Sequence, residues 1–156
     1  MIEITIPGDG GLRLNYLVMD YNGTLACNGI LLEGVAERVT ALAKHLAVYV
    51  LTADTFGTAR AVLAGLPCTV HILPHEGQNH AKMAFVTQLG RGEAVCIGNG
   101  RNDKLMLQAA ALGIAVIGPE GAAADALHAA DIIAPSIQVA LDLLLHPLRL
   151  VATLRS

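Results

Sequence analysis

Aromatic side chains are nearly missing from this chain: they make up 3% of its 156 residues, and tryptophan is absent. With so few stacking platforms, and with 10 Lys and Arg against 13 Asp and Glu for a net charge of −3, the sequence offers nucleic acid neither an aromatic platform nor a basic stripe. Nucleic acid is therefore not an expected partner. Cysteine is scarce as well. Cys27, Cys68 and Cys96 are odd in number and far apart, with no CxxC pair, which argues against a disulfide framework and a structural zinc site. Cys68 and Cys96 read instead as small buried residues of strands. Although 54% of the residues are hydrophobic, no run approaches the roughly 20 apolar residues of a membrane helix, so no membrane partner is expected. The opening MIEITIPGDG carries neither a basic segment nor an apolar signal core, which makes the cytoplasm the expected location.

What the chain does have is alternation. Short β-like runs such as LNYLVMD (ending at Asp20), AVYVLTAD, CTVHIL, EAVCIG, GIAVIG and DIIA are separated by stretches with helical spacing. EGVAERVTALAKHLA, from Glu33, places Val35, Val39, Leu42 and Leu46 on one helical face. This order predicts an α/β fold, a mostly parallel sheet flanked by helices, in one domain over residues 1–156. The segment EITIPGDGGLRLNY reads as a short strand, a turn cluster and the first core strand, an edge hairpin. Pro147 should stop or kink the last helix near His146, leaving an apolar tail with two possible seats, a neighbouring subunit or its own domain.

In an open α/β sheet, ligands bind beyond the carboxyl ends of the strands, and here those ends are polar. The first core strand delivers Asp20-Tyr21-Asn22-Gly23-Thr24, the second Thr52-Ala53-Asp54, and the fourth Gly98-Asn99-Gly100-Arg101-Asn102-Asp103. Any one of them is explained as readily by turn or cap formation. Their order, with Lys82 on an intervening helix, is not. DYNGTLA, LTAD, Lys82 and GNGRND together resemble the four motifs of the haloacid dehalogenase superfamily of aspartyl-phosphate phosphatases, over nearly the whole chain. The resemblance implies a Rossmann-like fold and a Mg²⁺-dependent reaction on a small phosphorylated substrate. It makes Asp20 the nucleophile, Thr52 and Lys82 catalytic partners, and Gly23, Thr24, Ala53 and Asn102 substrate-binding. Asp20, Asn22 (through its backbone carbonyl), Asn99 and Asp103 become metal ligands.

Two positions depart from that pattern. Asn22 stands where the phosphatases carry their general acid–base aspartate, and an amide cannot exchange a proton at neutral pH; the loss is typically about 10²- to 10⁴-fold in rate. Asn99 replaces the first acid of the fourth motif, which removes one metal-facing charge. A non-acid at position 22 paired with the GNGRND loop also resembles the phosphorylation domain of P-type ATPases and the small soluble proteins named for that similarity; at this length a pump is not expected. Leu25 to Gly34 has room only for a flap, a hairpin turning at Asn28-Gly29, and the chain between Thr52 and Lys82 is consumed by core elements. The expectation is thus a capless enzyme, closed by a neighbour in a dimer or tetramer, with a non-catalytic phosphate- or Mg²⁺-binding regulator as the alternative. His71, His75 and His80 fit no zinc motif, and His75 and His80 fall near the expected site mouth. Arg101 could meet substrate phosphate or solvent, and Asp54 could cap the next helix or sit on the rim.

Overall fold

A computed structural model describes residues 1–54 and 57–156. Six strands form one all-parallel sheet: β3 (Tyr16–Asp20), β6 (Ala47–Thr52), β7 (Thr69–Ile72), β8 (Ala94–Gly98), β9 (Leu112–Val116) and β10 (Ile132–Ala134), in the spatial order β10-β9-β8-β3-β6-β7. Every residue of β8 and β9 is buried, as strands covered on both faces must be. Sequence order runs outward from β3 first to one side and then to the other. The reversal lies between β3 and β8, where a crevice opens at the carboxyl ends.

One face of the sheet is covered by α1 (Val35–Leu42), α2 (Ala59–Leu63) and α6 (Ile137–Leu145), which bury Val35, Val39, Leu42, Leu63, Leu141 and Leu144 in one cluster. The other face carries α3 (Gln78–Leu89), α4 (Lys104–Ala109) and α5 (Ala124–Ala129), which pack Val86, Met106, Leu107 and Ala126 against Val18, Cys96 and Ala115. Ser136 caps α6 through Val139 N–H, at 3.2 Å. At His146 the chain bends by 102° into α7 (Pro147–Leu154), where the missing N–H of Pro147 costs nothing at a helix start. No single helix among the described residues is long and apolar enough to cross a membrane.

Three expectations are changed or settled here. The amino-terminal hairpin is β1 (Ile2–Ile6) with β2 (Gly10–Leu14), a separate antiparallel pair and not an extension of the core strand. Asn15 interrupts the run, donating from its backbone N to Glu93 O at 2.8 Å and from Nδ2 to Glu93 Oε2 at 2.8 Å. Cys68 precedes β7 and is half-buried, whereas Cys96 is buried in β8 as expected. The apolar tail is seated on its own chain, with Leu150 fully buried and Val151 and Leu154 against the same core. That leaves the missing cap as the ground for an oligomer.

Candidate active site

Asp20 ends the central strand, and its backbone turns sharply: Tyr21 O accepts from Thr24, Leu25 and Ala26 N–H, with Gly23 at φ +82°. The chain continues into the expected flap, β4 (Ala26–Cys27) paired with β5 (Ile30–Leu31) across Asn28 and Gly29, both at positive φ, the conformation that an Asn-Gly hairpin turn demands. The buried Tyr21 hydroxyl donates to Gly29 O at 3.2 Å and ties this flap to the loop that follows Asp20.

Beneath the turn lies a buried ionic cluster. Lys82 Nζ donates to Asp20 Oδ1 at 2.7 Å and to Asp103 Oδ1 at 2.6 Å, and both Lys82 and Asp103 are fully buried. Thr24 Oγ1 faces Asp20 Oδ2 at 3.1 Å and Asn99 Oδ1 at 3.2 Å. Asp103 Oδ2 accepts from the backbone N–H of Asn99 and Gly100, at 3.0 and 2.9 Å. Burial, followed by the like charge of Asp103, pushes the Asp20 carboxyl up to about 6 against the pull of Lys82 and Thr24. Burial pulls the other way on Lys82, but the two carboxylates outweigh it and hold the ammonium above the ordinary lysine value. The cluster therefore keeps one net negative charge out of water, a cost relieved by an added cation.

A cavity of about 280 Å³ opens above it, lined by Asp20, Asn22, Thr52, Ala53, Asn99, Asn102, Gly100, Gln78 and Glu120. That is the small end of ligand cavities. Of the residues expected from sequence, Asp20, Asn22, Thr52, Ala53, Asn99 and Asn102 meet here, Gly23 and Thr24 form the turn beside it, and Lys82 and Asp103 lie under its floor. Thr52 Oγ1 accepts from Asp54 N–H at 2.9 Å, which leaves its own proton for the cavity. Asp54 is the helix cap: its Oδ1 accepts from Thr58 and Ala59 N–H, each at 2.9 Å. Gln78 and Glu120 were not singled out in the sequence, and Gly100 was named there only as part of the fourth motif; Gln78 accepts from Asn102 Nδ2 at 2.9 Å and sits one turn before Lys82. The lining donors are oxygens, which suit a hard divalent cation, and Asn22 Oδ1 is buried with no hydrogen-bond partner among the described residues. Asp103, expected in the metal shell, already has both oxygens engaged.

The remaining candidates lie outside this cavity. His71 packs against Phe85, with ring centroids 4.6 Å apart, and beside Tyr49, which itself meets the edge of Phe85. His75 and Arg101 line a neighbouring groove, with Arg101 largely exposed and 3.0 Å from Asp125. His80 is exposed on α3.

No protein-family model matches the chain. Two uncharacterized proteins of Methanocaldococcus jannaschii are similar to it in part. One is 52% identical over 61 residues, which is 39% of this chain and 66% of the relative, and the other 46% identical over 39 residues, 25% of this chain and 89% of the relative. Among solved structures, a Legionella pneumophila protein assigned to subfamily III A of the haloacid dehalogenase superfamily hydrolases superposes with a TM-score of 0.71 at 19% identity, covering 90% of this chain and 87% of its own. A 3-deoxy-D-manno-octulosonate 8-phosphate phosphatase from Moraxella catarrhalis, in complex with magnesium and phosphate ions and the sugar acid, gives 0.66 at 17% identity over 85% of this chain and 86% of its own. A zinc-transporting P-type ATPase gives 0.60 at 23% identity, over 79% of this chain but only 20% of the pump.

Proposed function

Because the chain has the haloacid dehalogenase superfamily fold, we propose that it hydrolyses a small phosphomonoester, with Asp20 as nucleophile and Mg²⁺ as cofactor. The observation that carries this reading is the setting of Asp20: at the end of the central strand, held by Lys82 and Thr24, and open to the cavity shared with Thr52. Mg²⁺ held by Asp20, Asn99 and the backbone carbonyl of Asn22 would offset the negative charge that a carboxylate and a phosphate bring together. Lys82 orients Asp20 and neutralises part of its charge, and Asp103 holds Lys82 and the loop from Asn99 to Asn102 in place. The free Thr52 proton, with Asn102 and the backbone N–H groups nearby, is available to the non-bridging phosphate oxygens.

In the first step an Asp20 oxygen forms a bond to phosphorus as the ester P–O bond breaks, and the departing alkoxide takes its proton from water, since Asn22 has none to give. Water then attacks phosphorus in the aspartyl phosphate, the bond to Asp20 breaks, and inorganic phosphate and the free carboxylate are released. Both half-reactions lack acid–base help, so turnover should be slow and best with good leaving groups. The test is hydrolysis of p-nitrophenyl phosphate with and without Mg²⁺, in the wild type and in Asp20→Asn. Mg²⁺-dependent release that disappears in the variant supports the assignment, and equal rates in both proteins sink it. No release by the wild type favours the non-catalytic phosphate-binding alternative, which the amide at position 22 also fits.

A further inference from the structure

After β9 the chain makes a tight turn, Gly118-Pro119-Glu120-Gly121, closed by Gly121 N–H on Gly118 O at 2.9 Å with Gly121 at φ +74°. The turn is pressed onto the nucleophile loop: a Cβ on Gly118 would lie 2.7 Å from Gly23 O. It is also fastened to Asn99 twice. Asn99 Nδ2 donates to Gly121 O at 3.1 Å, and Asn99 O accepts from Ala123 N–H at 2.8 Å. The first of these bonds needs an amide, because an ionised carboxylate has no proton to donate.

This fastening carries the Glu120 carboxylate to the cavity of Asp20. A Cβ placed on Gly23 would lie 2.7 Å from Glu120 Oε2 and 2.6 Å from Asn99 Nδ2, so carboxylate and amide flank one small space beside the nucleophile loop. Neighbouring acids are otherwise engaged; Asp125 pairs with Arg101 and Lys104. Glu120 has no hydrogen bond or ion pair among the described residues. In the same cavity, the buried Asn22 Oδ1 is without a hydrogen-bond partner among the described residues.

We propose that Glu120 supplies to the bound cation the carboxylate that position 99 lacks, the amide at 99 having become the pin that holds Glu120 there. The inference rests on the reading of the site as metal-dependent and adds a ligand to it from outside the four motifs. Charge balance supports it. Asp20, Asp103 and Lys82 together leave one negative charge, and Glu120 brings a second, which a divalent cation matches.

Calorimetric titration with Mg²⁺ tests the proposal without reference to turnover. The proteins compared are the wild type, Asp20→Asn, Glu120→Gln and the double variant Glu120→Gln/Asn99→Asp, each checked for folding by circular dichroism. Glu120 is exposed on a turn, so its loss should leave the fold intact. The expected result is a drop of tenfold or more in Mg²⁺ affinity for Glu120→Gln and recovery of most of it in the double variant, where the acid returns to position 99. A smaller drop, or a double variant no better than the single, overturns the assignment of Glu120 while wild-type binding that depends on Asp20 leaves the functional reading standing. Absence of Mg²⁺ binding by the wild type overturns both.

Discussion

Two ionic contacts in this molecule are built on opposite principles. On the flank of the fold, Arg38 grips Asp142 with two parallel bonds, Nε to Oδ1 at 2.8 Å and Nη2 to Oδ2 at 3.1 Å, and so clamps α1 to α6 with charges that cancel. Both side chains keep more than a fifth of their surface in water. Under the cavity, Lys82 faces two carboxylates, with essentially no water and with charges that do not cancel. The clamp stabilises the fold modestly and needs nothing further. The buried trio holds an excess of negative charge beside the cavity proposed to take a cation and a phosphate, so the one contact suits folding and the other suits binding.

Lys82→Met should break the contrast most severely, leaving two buried carboxylates side by side at a cost of about 3–5 kcal/mol, read by urea unfolding of the metal-free protein. Adding Asp103→Asn should recover part of that loss. Asp20→Asn, by removing the excess charge, should leave the metal-free fold as stable as the wild type or more so; a large loss would mean that the trio is a stabilising device after all. Next in size is Asn22→Asp, which restores the missing acid and should raise the rate on alkyl phosphates relative to p-nitrophenyl phosphate by up to about 10²-fold. An unchanged ratio would show that position 22 does not limit proton transfer. Gly98→Ala should cost about 1–3 kcal/mol by overpacking, since its Cβ would lie 2.5 Å from Asp103 Cγ; thermal unfolding reads it.

The smallest effect should come from Asp142→Asn. Hydrogen bonds from Arg38 lower the Asp142 pKa below 3.8 against the opposing influence of burial. Its stabilisation is thus present at neutral pH and disappears as the pH falls through the carboxylate range, so wild type and variant should converge in acid. The Asp20 carboxyl is instead raised to about 6 by burial and then by Asp103, so its ionised form is disfavoured in the fold and its contribution to stability should rise as the pH falls from about 6 through the ordinary carboxylate value. Denaturation midpoints against pH measure both.

The site was legible from sequence because it is made of residues at strand ends, where an Asp or Thr after an apolar run has few places to go. Asn28-Gly29 announced its hairpin by the same local logic. Lys82 is less obvious, since a helix lysine usually faces water. Its spacing of four from Val86, which is buried, puts it on the inner face of α3, and only the carboxylates of distant segments explain why it stays there. Glu120 escaped because GPEG reads simply as a turn, although β9 neighbours β8 and its carboxyl end belongs to the same crevice. Asn15 escaped because a single polar residue in LNYLVMD looks like strand alternation, and its partner Glu93 is remote in sequence.

The strand order also has a bearing on how the molecule comes to exist. Of the six strands of this sheet the one carrying Asp20 leaves the ribosome first, and β6 and β7 follow on one of its sides, while its other side is to be met by β8, whose residues emerge only after Lys82 has been made. Until then a nascent chain presents the unpaired backbone of an apolar central strand, Leu17-Val18-Met19, as an open edge of the kind that recruits stray partners. The docking of β8 closes that edge and brings Asp103 toward Asp20 in the same event, so the protection of the growing polypeptide and the assembly of the buried ionic cluster coincide.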